Sequence, residues 1–357
     1  MGGRQRILTV FGTRPEAIKL FPLLHRLERD PRFDSRTCST GQHREILDQV
    51  LTVSGIVPDI ALKAMRSGQT LDELVARLLA ELSQVIARER PDWVVVQGDT
   101  ATTLCAAVAA HRHGVPVAHV EAGLRSGDFA RPYPEEINRY LVARLAALHL
   151  APTESAAAAL LAEGVDPARV HVTGNTVVDA LHWINGRLGS EPALAADLAG
   201  LEARFAGRRI VAVTCHRREN WGNGVQEIAE AVRALAARQD IAFIVPLHPN
   251  PQLHGAFGAA LAGLANVAII APLDYPHFAR LIAIAHLMLT DSGGVQEEAP
   301  ALGTPVLVTR ETTERPEGLA AGTARLVGSD RARIVAEVAR LLDDAEAHNA
   351  MARAHNP

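Results

Sequence analysis

The clearest indication of the fold is the stretch Leu287-Met-Leu-Thr-Asp-Ser-Gly-Gly-Val-Gln-Glu-Glu-Ala-Pro-Ala-Leu-Gly-Thr-Pro-Val-Leu-Val308. Residues 287–290 are apolar or β-branched, which predicts a buried strand, and the glycine-rich turn after them lets a helix begin at Val295. A strand, a tight turn and a helix in this order form the repeating unit of parallel α/β sheets. The same unit recurs along the chain.

The turn between this strand and helix is a candidate phosphate site. Ser292, Gly293 and Gly294 place little side-chain bulk between an anion and the backbone, and a helix start offers unpaired N–H groups. Glu298, about one turn into the helix, is placed to accept hydrogen bonds from a ribose diol. A Gly-Gly pair can also be a simple tight connection, so the interpretation depends on the polar strand ends elsewhere in the chain.

Length and composition bound the class of protein. The 357 residues suffice for two α/β domains, and 48% apolar with 21% charged residues is typical of a globular protein. A net charge of -4 argues against a nucleic-acid partner, and no run is long enough for a membrane span. Three widely spaced cysteines predict free buried thiols and a cytoplasmic location.

The first predicted strand, residues 7–11, is followed by a second candidate anion site. Pro15 can open a helix because its missing N–H would be unpaired there, and Arg14 and Lys19 supply positive charge. The alternative is a capped helix with two solvated cations.

Carboxylates follow the next apolar strands. Asp99 comes after strand 93–96 and Glu121 after strand 115–120, so we expect both on the same rim of one sheet. Glu135 begins the following helix and shares a face with Arg139. That spacing is common for an ordinary ion pair, but beside two strand-end carboxylates it also predicts a third acid.

Two series of strands and helices are separated by a strand-free, alanine-rich segment. We predict a first domain over residues 1–188, a linker over 189–207 and a second domain over 208–357. In the second domain, strands end at His216 and His248. The predicted fold class is α/β, with two Rossmann-like, doubly wound domains facing a cleft.

The residues by themselves indicate chemistry on a phosphorylated small molecule. Carboxylates suit proton removal and return, and Arg14, Lys19 and His216 suit charge that builds on a departing phosphate. The histidines lack an HExxH or Cys-x-x-Cys frame, which makes a metal the weaker hypothesis. No GxGxxG follows the first strand, so tightly held NAD is not indicated, and we predict no cofactor.

A series of short motifs identifies a resemblance. In chain order they are Phe11-Gly-Thr-Arg-Pro-Glu-Ala-Ile-Lys19, Gln42-His-Arg-Glu45, Gly98-Asp-Thr100, His119-Val-Glu-Ala-Gly-Leu-Arg125, Pro134-Glu-Glu136, Thr173-Gly-Asn-Thr176, His216-Arg-Arg-Glu219, Asp291-Ser-Gly-Gly-Val-Gln-Glu-Glu-Ala-Pro300 and Thr313-Glu-Arg-Pro-Glu317. Together they resemble the non-hydrolysing UDP-N-acetylglucosamine 2-epimerases along nearly the whole chain.

The resemblance implies a fold like that of the GT-B glycosyltransferases, with UDP held mainly by the second domain. It implies reversible interconversion of UDP-N-acetylglucosamine (UDP-GlcNAc) and UDP-N-acetylmannosamine (UDP-ManNAc) without NAD. UDP is eliminated to give 2-acetamidoglucal and then adds back, which supplies ManNAc units for surface polysaccharides. It also implies a homodimer.

The family's roles carry over residue by residue. Those in acid/base chemistry fall on Asp99, Glu121 and Glu135, and those around the diphosphate on Arg14, Lys19, His216, Ser292, Gly293 and Gly294. Glu298 matches the ribose contact and Phe278 the wall beside uracil, and Arg139, His248 and Arg315 are further substrate-binding candidates. A second, activating UDP-GlcNAc would meet Gln42, His43 and Arg66.

Two departures from the family pattern affect these expectations. Cys215 stands where the family has glycine, which predicts an altered loop around His216. We also expect the family's C-terminal tail, a Tyr-Gly-Asp-Gly stretch and a crossing helix, to be absent. Three alternatives stay open: a GT-B glycosyltransferase using a UDP-sugar donor, a hydrolysing epimerase, and a non-catalytic UDP-sugar sensor.

Overall fold

The computed structural model describes residues 3–42, 44–66, 68–217, 220–247, 250–313 and 315–356. The chain divides into two compact units, Met1–Ala180 and Leu181–Pro357. This division falls within helix Thr176–Ser190. Residues 189–207, predicted as a linker, contain a 3-10 turn, Pro192–Ala195, and the helix Ala196–Arg204.

The first unit is a parallel sheet with helices between its strands. Its strands are β1 Gln5–Phe11, β2 Phe33–Ser39, β3 Ile60–Ala61, β4 Trp93–Gln97, β5 Val117–Val120, β6 Leu148–Ala151 and β7 Val170–Val172. Its helices are α1 Arg14–Arg29, α2 Arg44–Ser54, α3 Leu71–Glu89, α4 Ala101–Arg112, α5 Glu135–Leu145 and α6 Glu154–Ala162; α7 Thr176–Ser190 begins in this unit and ends in the second. The strand order β3-β2-β1-β4-β5-β6-β7 reverses direction between β1 and β4.

The second unit repeats this plan. Its strands are β8 Arg209–Thr214, β9 Ile241–Pro246, β10 Val267–Ile270, β11 Leu287–Thr290, β12 Val306–Val308 and β13 Ala324–Leu326. Its helices are α8 Ala196–Arg204, α9 Asn223–Leu235, α10 Pro251–Leu261, α11 Tyr275–Ile284, α12 Val295–Ala301, α13 Pro316–Ala321, α14 Arg331–Asp343 and α15 Ala345–Ala352. The order β10-β9-β8-β11-β12-β13 reverses between β8 and β11. The prediction of two doubly wound parallel sheets is confirmed.

The central strands are apolar because helices cover both faces of each sheet. Leu8 and Val10 of β1, Val94 and Val96 of β4, and Leu289 of β11 are completely buried. Side chains of this size each contribute about 1.5–3 kcal/mol when they are removed from water. The turns that leave these strands therefore extend from a rigid core. Among the described helices, none combines the length and apolar character that crossing a bilayer requires.

The turn after β5 lies directly against the backbone of α6. Gly123 has φ 92°, in the left-handed region, and a Cβ placed there would lie 2.1 Å from the carbonyl oxygen of Ala156. A backbone atom of a helix cannot yield as a flexible side chain can. Only glycine therefore fits this turn without moving α6.

Two buried histidines face each other across neighbouring strands. His119 of β5 and His149 of β6 are in register, and both are 1% exposed. His119 Nε2 donates to the carbonyl oxygen of Gly98 at 2.7 Å, which fixes the turn after β4. Burial lowers the pKa of His119 from 6.5 to about 4, so the ring is neutral at neutral pH.

We expect Gly123→Ala to lower the free energy of unfolding by roughly 3 kcal/mol or more, since a left-handed alanine costs about 1–2 kcal/mol and overpacking adds about 1–3 kcal/mol. Urea denaturation measures the loss. Gly164→Ala is the control, because Gly164 has φ 84° but open space around its Cβ. It should lose only about 1–2 kcal/mol. Equal losses in the two variants would contradict the steric argument.

The buried His119 should make stability depend on pH. Its folded pKa lies below its unfolded value, so its stabilising effect is complete above about pH 6.5 and is lost as the pH falls towards about 4. At about 1.4 kcal/mol per pKa unit, the loss is about 3 kcal/mol. His119→Gln keeps a donor for Gly98 and removes the titration, so its urea midpoint should fall less steeply with acid. The control, exposed His111→Gln, should follow the wild-type curve; parallel curves for all three proteins would refute this.

Candidate active site

A buried carboxylate joins the two turns that flank the reversal point of the first sheet. Glu16 of α1 is 1% exposed. Its Oε2 accepts hydrogen bonds from the N–H groups of Gly12, at 3.0 Å, and Thr13, at 2.7 Å. Its Oε1 accepts one from Thr100 Oγ1 at 2.7 Å. Burial raises the pKa of Glu16 and these donors oppose that shift. The turn after β1 and the turn after β4 are therefore held at a fixed distance.

Asp99 lies in the second of these turns and is held from α5. Arg139 Nε donates to Asp99 Oδ2 at 2.8 Å, and Asn138 Nδ2 donates to the Asp99 carbonyl oxygen at 2.7 Å. Burial raises the pKa of Asp99; Arg139 opposes the shift and the negative charge of Glu121 reinforces it. The two predicted carboxylates are thus close enough to influence each other. The raised pKa brings Asp99 towards the range in which a carboxyl exchanges protons at neutral pH.

Glu121, at the end of β5, forms an ion pair with Lys19 of α1. The two side chains are only 9% and 14% exposed, so Lys19 is not a solvated cation. Asn175 Nδ2 donates to Glu121 Oε2 at 3.2 Å. Glu121 also has φ 62°, a conformation that is uncommon for any residue except glycine and often marks a functional site.

Arg139 pairs with a different acid from the one that the sequence suggested. Its Nη1 donates to Glu136 Oε2 at 2.9 Å, whereas Glu135 is half-buried and makes no hydrogen bond or ion pair with the described residues. Glu136 is completely buried and also accepts from the N–H groups of Ser126 and Gly127. Burial of Glu136 decides the choice, because an unpaired charge there would be far more costly than at Glu135.

The reversal point of the second sheet carries the glycine-rich turn. Thr214 of β8 and Thr290 of β11 are in register, so His216 and Ser292 follow at the same edge of the sheet. The N–H of Ser292 donates to Thr290 Oγ1 at 3.0 Å. The backbone N–H groups of Gly293 and Gly294 donate no hydrogen bond to the described residues. Two backbone donors are therefore available for an anion.

His216 is held by the first residue of that turn. Its backbone N–H and its ring Nδ1 both contact Asp291, with Nδ1 at 3.0 Å from Asp291 Oδ1. Asp291 is completely buried, whereas the His216 side chain is 40% exposed. Cys215 is also buried, and burial raises the pKa of its thiol, as expected for a packed, unreactive cysteine. The ring of His216 is thus presented from a rigid edge.

The remaining candidates lie in varied settings. Arg14 is half-buried at the start of α1 and makes no ion pair with the described residues. Glu298 is 9% exposed in α12, and Phe278 is half-buried in α11. Arg315 Nε donates to Glu297 Oε1 at 2.8 Å, next to Glu298 in sequence.

The predicted activator positions are only partly described. Gln42 Oε1 accepts from Thr102 Oγ1 at 3.1 Å, close to the first reversal point, and Arg66 is exposed in a loop. His43 lies outside the described residues, as does the substrate-binding candidate His248. Within the part of the chain that is described, no three His, Cys, Asp or Glu side chains are grouped as metal ligands.

Four residues that organise these sites were not predicted from the sequence. Glu16, Glu136, Asn175 and Asp291 all lie inside the quoted motifs, but as residues with no assigned role. Two local signals were available: the i, i+3 spacing of Glu136 and Arg139, and the capping-box spacing of Thr13 and Glu16. The contact of Glu16 with Thr100 and those of Asn175 and Asp291 join residues far apart in the chain.

This chain matches known proteins over nearly its whole length. A family model described as UDP-N-acetylglucosamine 2-epimerase matches residues 25–357. The UDP-N-acetylglucosamine 2-epimerases of Salmonella typhimurium and Escherichia coli K12 are 50% and 49% identical over 354 residues, covering 99% of this chain and 94% of each relative. The crystal structure of UDP-GlcNAc 2-epimerase from Neisseria meningitidis bound to UDP-GlcNAc aligns with a TM-score of 0.89 at 41% identity, covering 99% of this chain and 95% of that one. The chain belongs to the UDP-N-acetylglucosamine 2-epimerase family.

Proposed function

We propose that this protein interconverts UDP-GlcNAc and UDP-ManNAc by reversible elimination of UDP, without a cofactor. The observation that supports this most directly is the pair of strand-end carboxylates, Asp99 and Glu121, each held by one cation beside the reversal point of the first sheet. Relatives that share about half of the sequence over nearly its whole length carry the name of this activity.

Inversion at C2 requires a proton to leave one face of the sugar and another to arrive on the opposite face. A carboxylate removes the C2 proton, the electron pair of that bond forms the C1–C2 double bond of 2-acetamidoglucal, and the C1–O bond breaks as UDP departs. A protonated carboxyl group then delivers a proton to the other face of C2, while a UDP oxygen adds again to C1. Substrate and product are isomers, so nothing else is consumed.

Two carboxyl groups in different environments suit this sequence of steps. Burial raises the pKa of Asp99, which favours a form that carries a proton. Glu121 is instead paired with Lys19 and accepts a further hydrogen bond from Asn175. Such a difference lets one group act as acid while the other acts as base. Glu135, whose side chain makes no ion pair with the described residues, is proposed as the third acid/base group.

The binding roles follow the family resemblance. In this proposal the diphosphate is met by backbone donors of the turn Ser292, Gly293 and Gly294, with Arg14 and His216 supplying charge. Lys19 holds Glu121 in place through their ion pair, and its positive charge also stabilises the diphosphate. Glu298 binds the ribose and Phe278 lies beside uracil. Arg139, His248 and Arg315 complete the substrate-binding set, and residues 208–357 form the UDP-binding domain.

The finer assignments belong to the same proposal. A homodimer and an activating second UDP-GlcNAc at Gln42, His43 and Arg66 rest on the family resemblance alone. A cytoplasmic location is supported by three buried cysteines that form no disulfide. The product would supply ManNAc units for surface polysaccharides.

The decisive experiment is proton NMR of the purified protein with UDP-GlcNAc in D2O, without NAD or a sugar acceptor. The proposal requires UDP-ManNAc to appear with deuterium at C2, because the abstracted proton exchanges with solvent. Free ManNAc and UDP would instead indicate a hydrolysing epimerase. An unchanged spectrum would overturn the proposal in favour of a transferase, which needs an acceptor, or a sensor.

Asp99→Asn and Glu121→Gln should each lower kcat by about 10²- to 10⁴-fold, since each removes a proton-transferring carboxyl group and keeps its shape. Initial rates of UDP-ManNAc formation measure the effect. Glu28→Gln, the same chemical change at an exposed position of α1, is the matched control and should leave kcat unchanged. Near-normal turnover in both site variants would show that the carboxylates are misassigned.

A further inference from the structure

The carboxylate of Asp291 is a buried charge with an unusual set of partners. It accepts hydrogen bonds from the N–H groups of His216, at 2.9 Å, and Arg217, at 2.8 Å, and from Asn220 Nδ2 at 3.0 Å. Burial alone would raise its pKa, but hydrogen bonds, with those from His216 the largest, lower it to about 2. No Lys or Arg side chain among the described residues forms an ion pair with it; the ring of His216 lies against it instead, with Nδ1 at 3.0 Å from Oδ1.

This ionised carboxylate fixes a hydrogen on one nitrogen of the His216 ring. A carboxylate without a proton can only accept, so the ring nitrogen 3.0 Å from Asp291 Oδ1, Nδ1, must carry a hydrogen. The second nitrogen, Nε2, lies on the far side of the ring from Asp291. It is therefore the atom through which a ligand can be met, in a side chain that is 40% exposed.

The carboxylate is itself held from two directions. Asn220 Nδ2 donates to the carbonyl oxygen of Thr309 at 3.1 Å as well as to Asp291, and the N–H of Thr309 donates to the carbonyl oxygen of Thr290 at 2.8 Å. Thr214 and Thr290 join their hydroxyl groups at 2.6 Å just before the two turns. Asp291 thus has a single position relative to β8, β11 and β12.

We propose that Asp291 is a positioning residue for the reaction: its carboxylate accepts a hydrogen bond from Nδ1–H of His216 and so favours the doubly protonated ring, whose Nε2–H donates to the diphosphate oxygens of the departing UDP. This inference rests on the proposed function, in which His216 meets the diphosphate. When the C1–O bond breaks, negative charge grows on the β-phosphate, and a donor whose orientation is already fixed stabilises it without reorganisation.

Asp291→Asn tests the proposal because asparagine has the same shape. Its amide oxygen can still accept from His216 N, Arg217 N and Asn220 Nδ2, but its NH2 group then faces Nδ1 and cannot accept a hydrogen there. We expect kcat to fall by about 10²- to 10⁴-fold with little change in KM, as for loss of an orienting carboxylate or a general acid/base group. In ¹⁵N NMR spectra, the His216 signal of the Nδ1-protonated ring should be lost.

Asn220→Ala is the matched control. It removes one hydrogen bond from the same carboxylate and the contact with Thr309, but leaves the contact with the ring. It should lower Tm while the ring stays protonated at Nδ1 and kcat falls far less than in Asp291→Asn. An equal loss of kcat in both variants would indicate that Asp291 only stabilises the loop, and would overturn the proposal.

A double-mutant cycle that combines Asp291→Asn with His216→Ala measures whether Asp291 affects kcat through the His216 ring. If Asp291 acts through the ring, Asp291→Asn costs nothing further in kcat once His216 is alanine. A full additional loss would contradict the proposal, as would an Nδ1 that stays protonated in Asp291→Asn. If the wild-type protein makes no UDP-ManNAc, the proposed function fails, yet the ring spectra still decide whether Asp291 keeps Nδ1 protonated.

Discussion

In each unit a buried carboxylate bridges the two turns that flank the reversal of strand order. Glu16 joins the turn after β1 to the turn after β4, and Asp291 joins the turn after β11 to the segment after β8. At a reversal point the connections run to opposite faces of the sheet, which leaves a gap between the two turns. A carboxylate, with two oxygens that only accept, can bind donors from both sides of that gap.

Such a bridge is stable only when its donors are all in place. An unpaired carboxylate in the interior costs several kcal/mol, so each bridge strongly disfavours any arrangement in which one turn has moved. In each unit these turns hold candidate site residues: Asp99 and Arg14 beside the bridge of the first unit, His216 and Ser292 beside the bridge of the second. The same hydrogen bonds that stabilise each unit therefore keep its polar groups oriented before a substrate arrives.

The strands and the turns were predictable because they depend on local pattern. Apolar runs gave β4 and β11, and the rule for parallel sheets placed Asp99 and Glu121 on one rim, where the structure also has them. Which charged side chains pair with each other was not predictable. Lys19 pairs with Glu121 across more than a hundred positions, a distance that no spacing rule spans.

Burial limited the other predictions in the same way. Glu135 and Glu136 are both within reach of Arg139 along a helix, and what separates them is which one the neighbouring loop encloses. Composition likewise gave no indication that Leu198, within the predicted linker 189–207, is buried. An alanine-rich composition is only weak evidence for a helix, because most of the stability of a short helix comes from packing one of its faces against a core.

The left-handed backbone conformation of Glu121 has a consequence for redesigning this protein. At φ 62° a residue with a Cβ is disfavoured by about a kcal/mol or more, and glycine would relieve that strain at once. Glycine would also remove the carboxylate with which the buried Lys19 pairs, and an uncompensated buried charge costs more than the strain. A redesign guided by the backbone angle alone would therefore lose stability at this position, and it would delete a carboxylate that we propose to transfer protons.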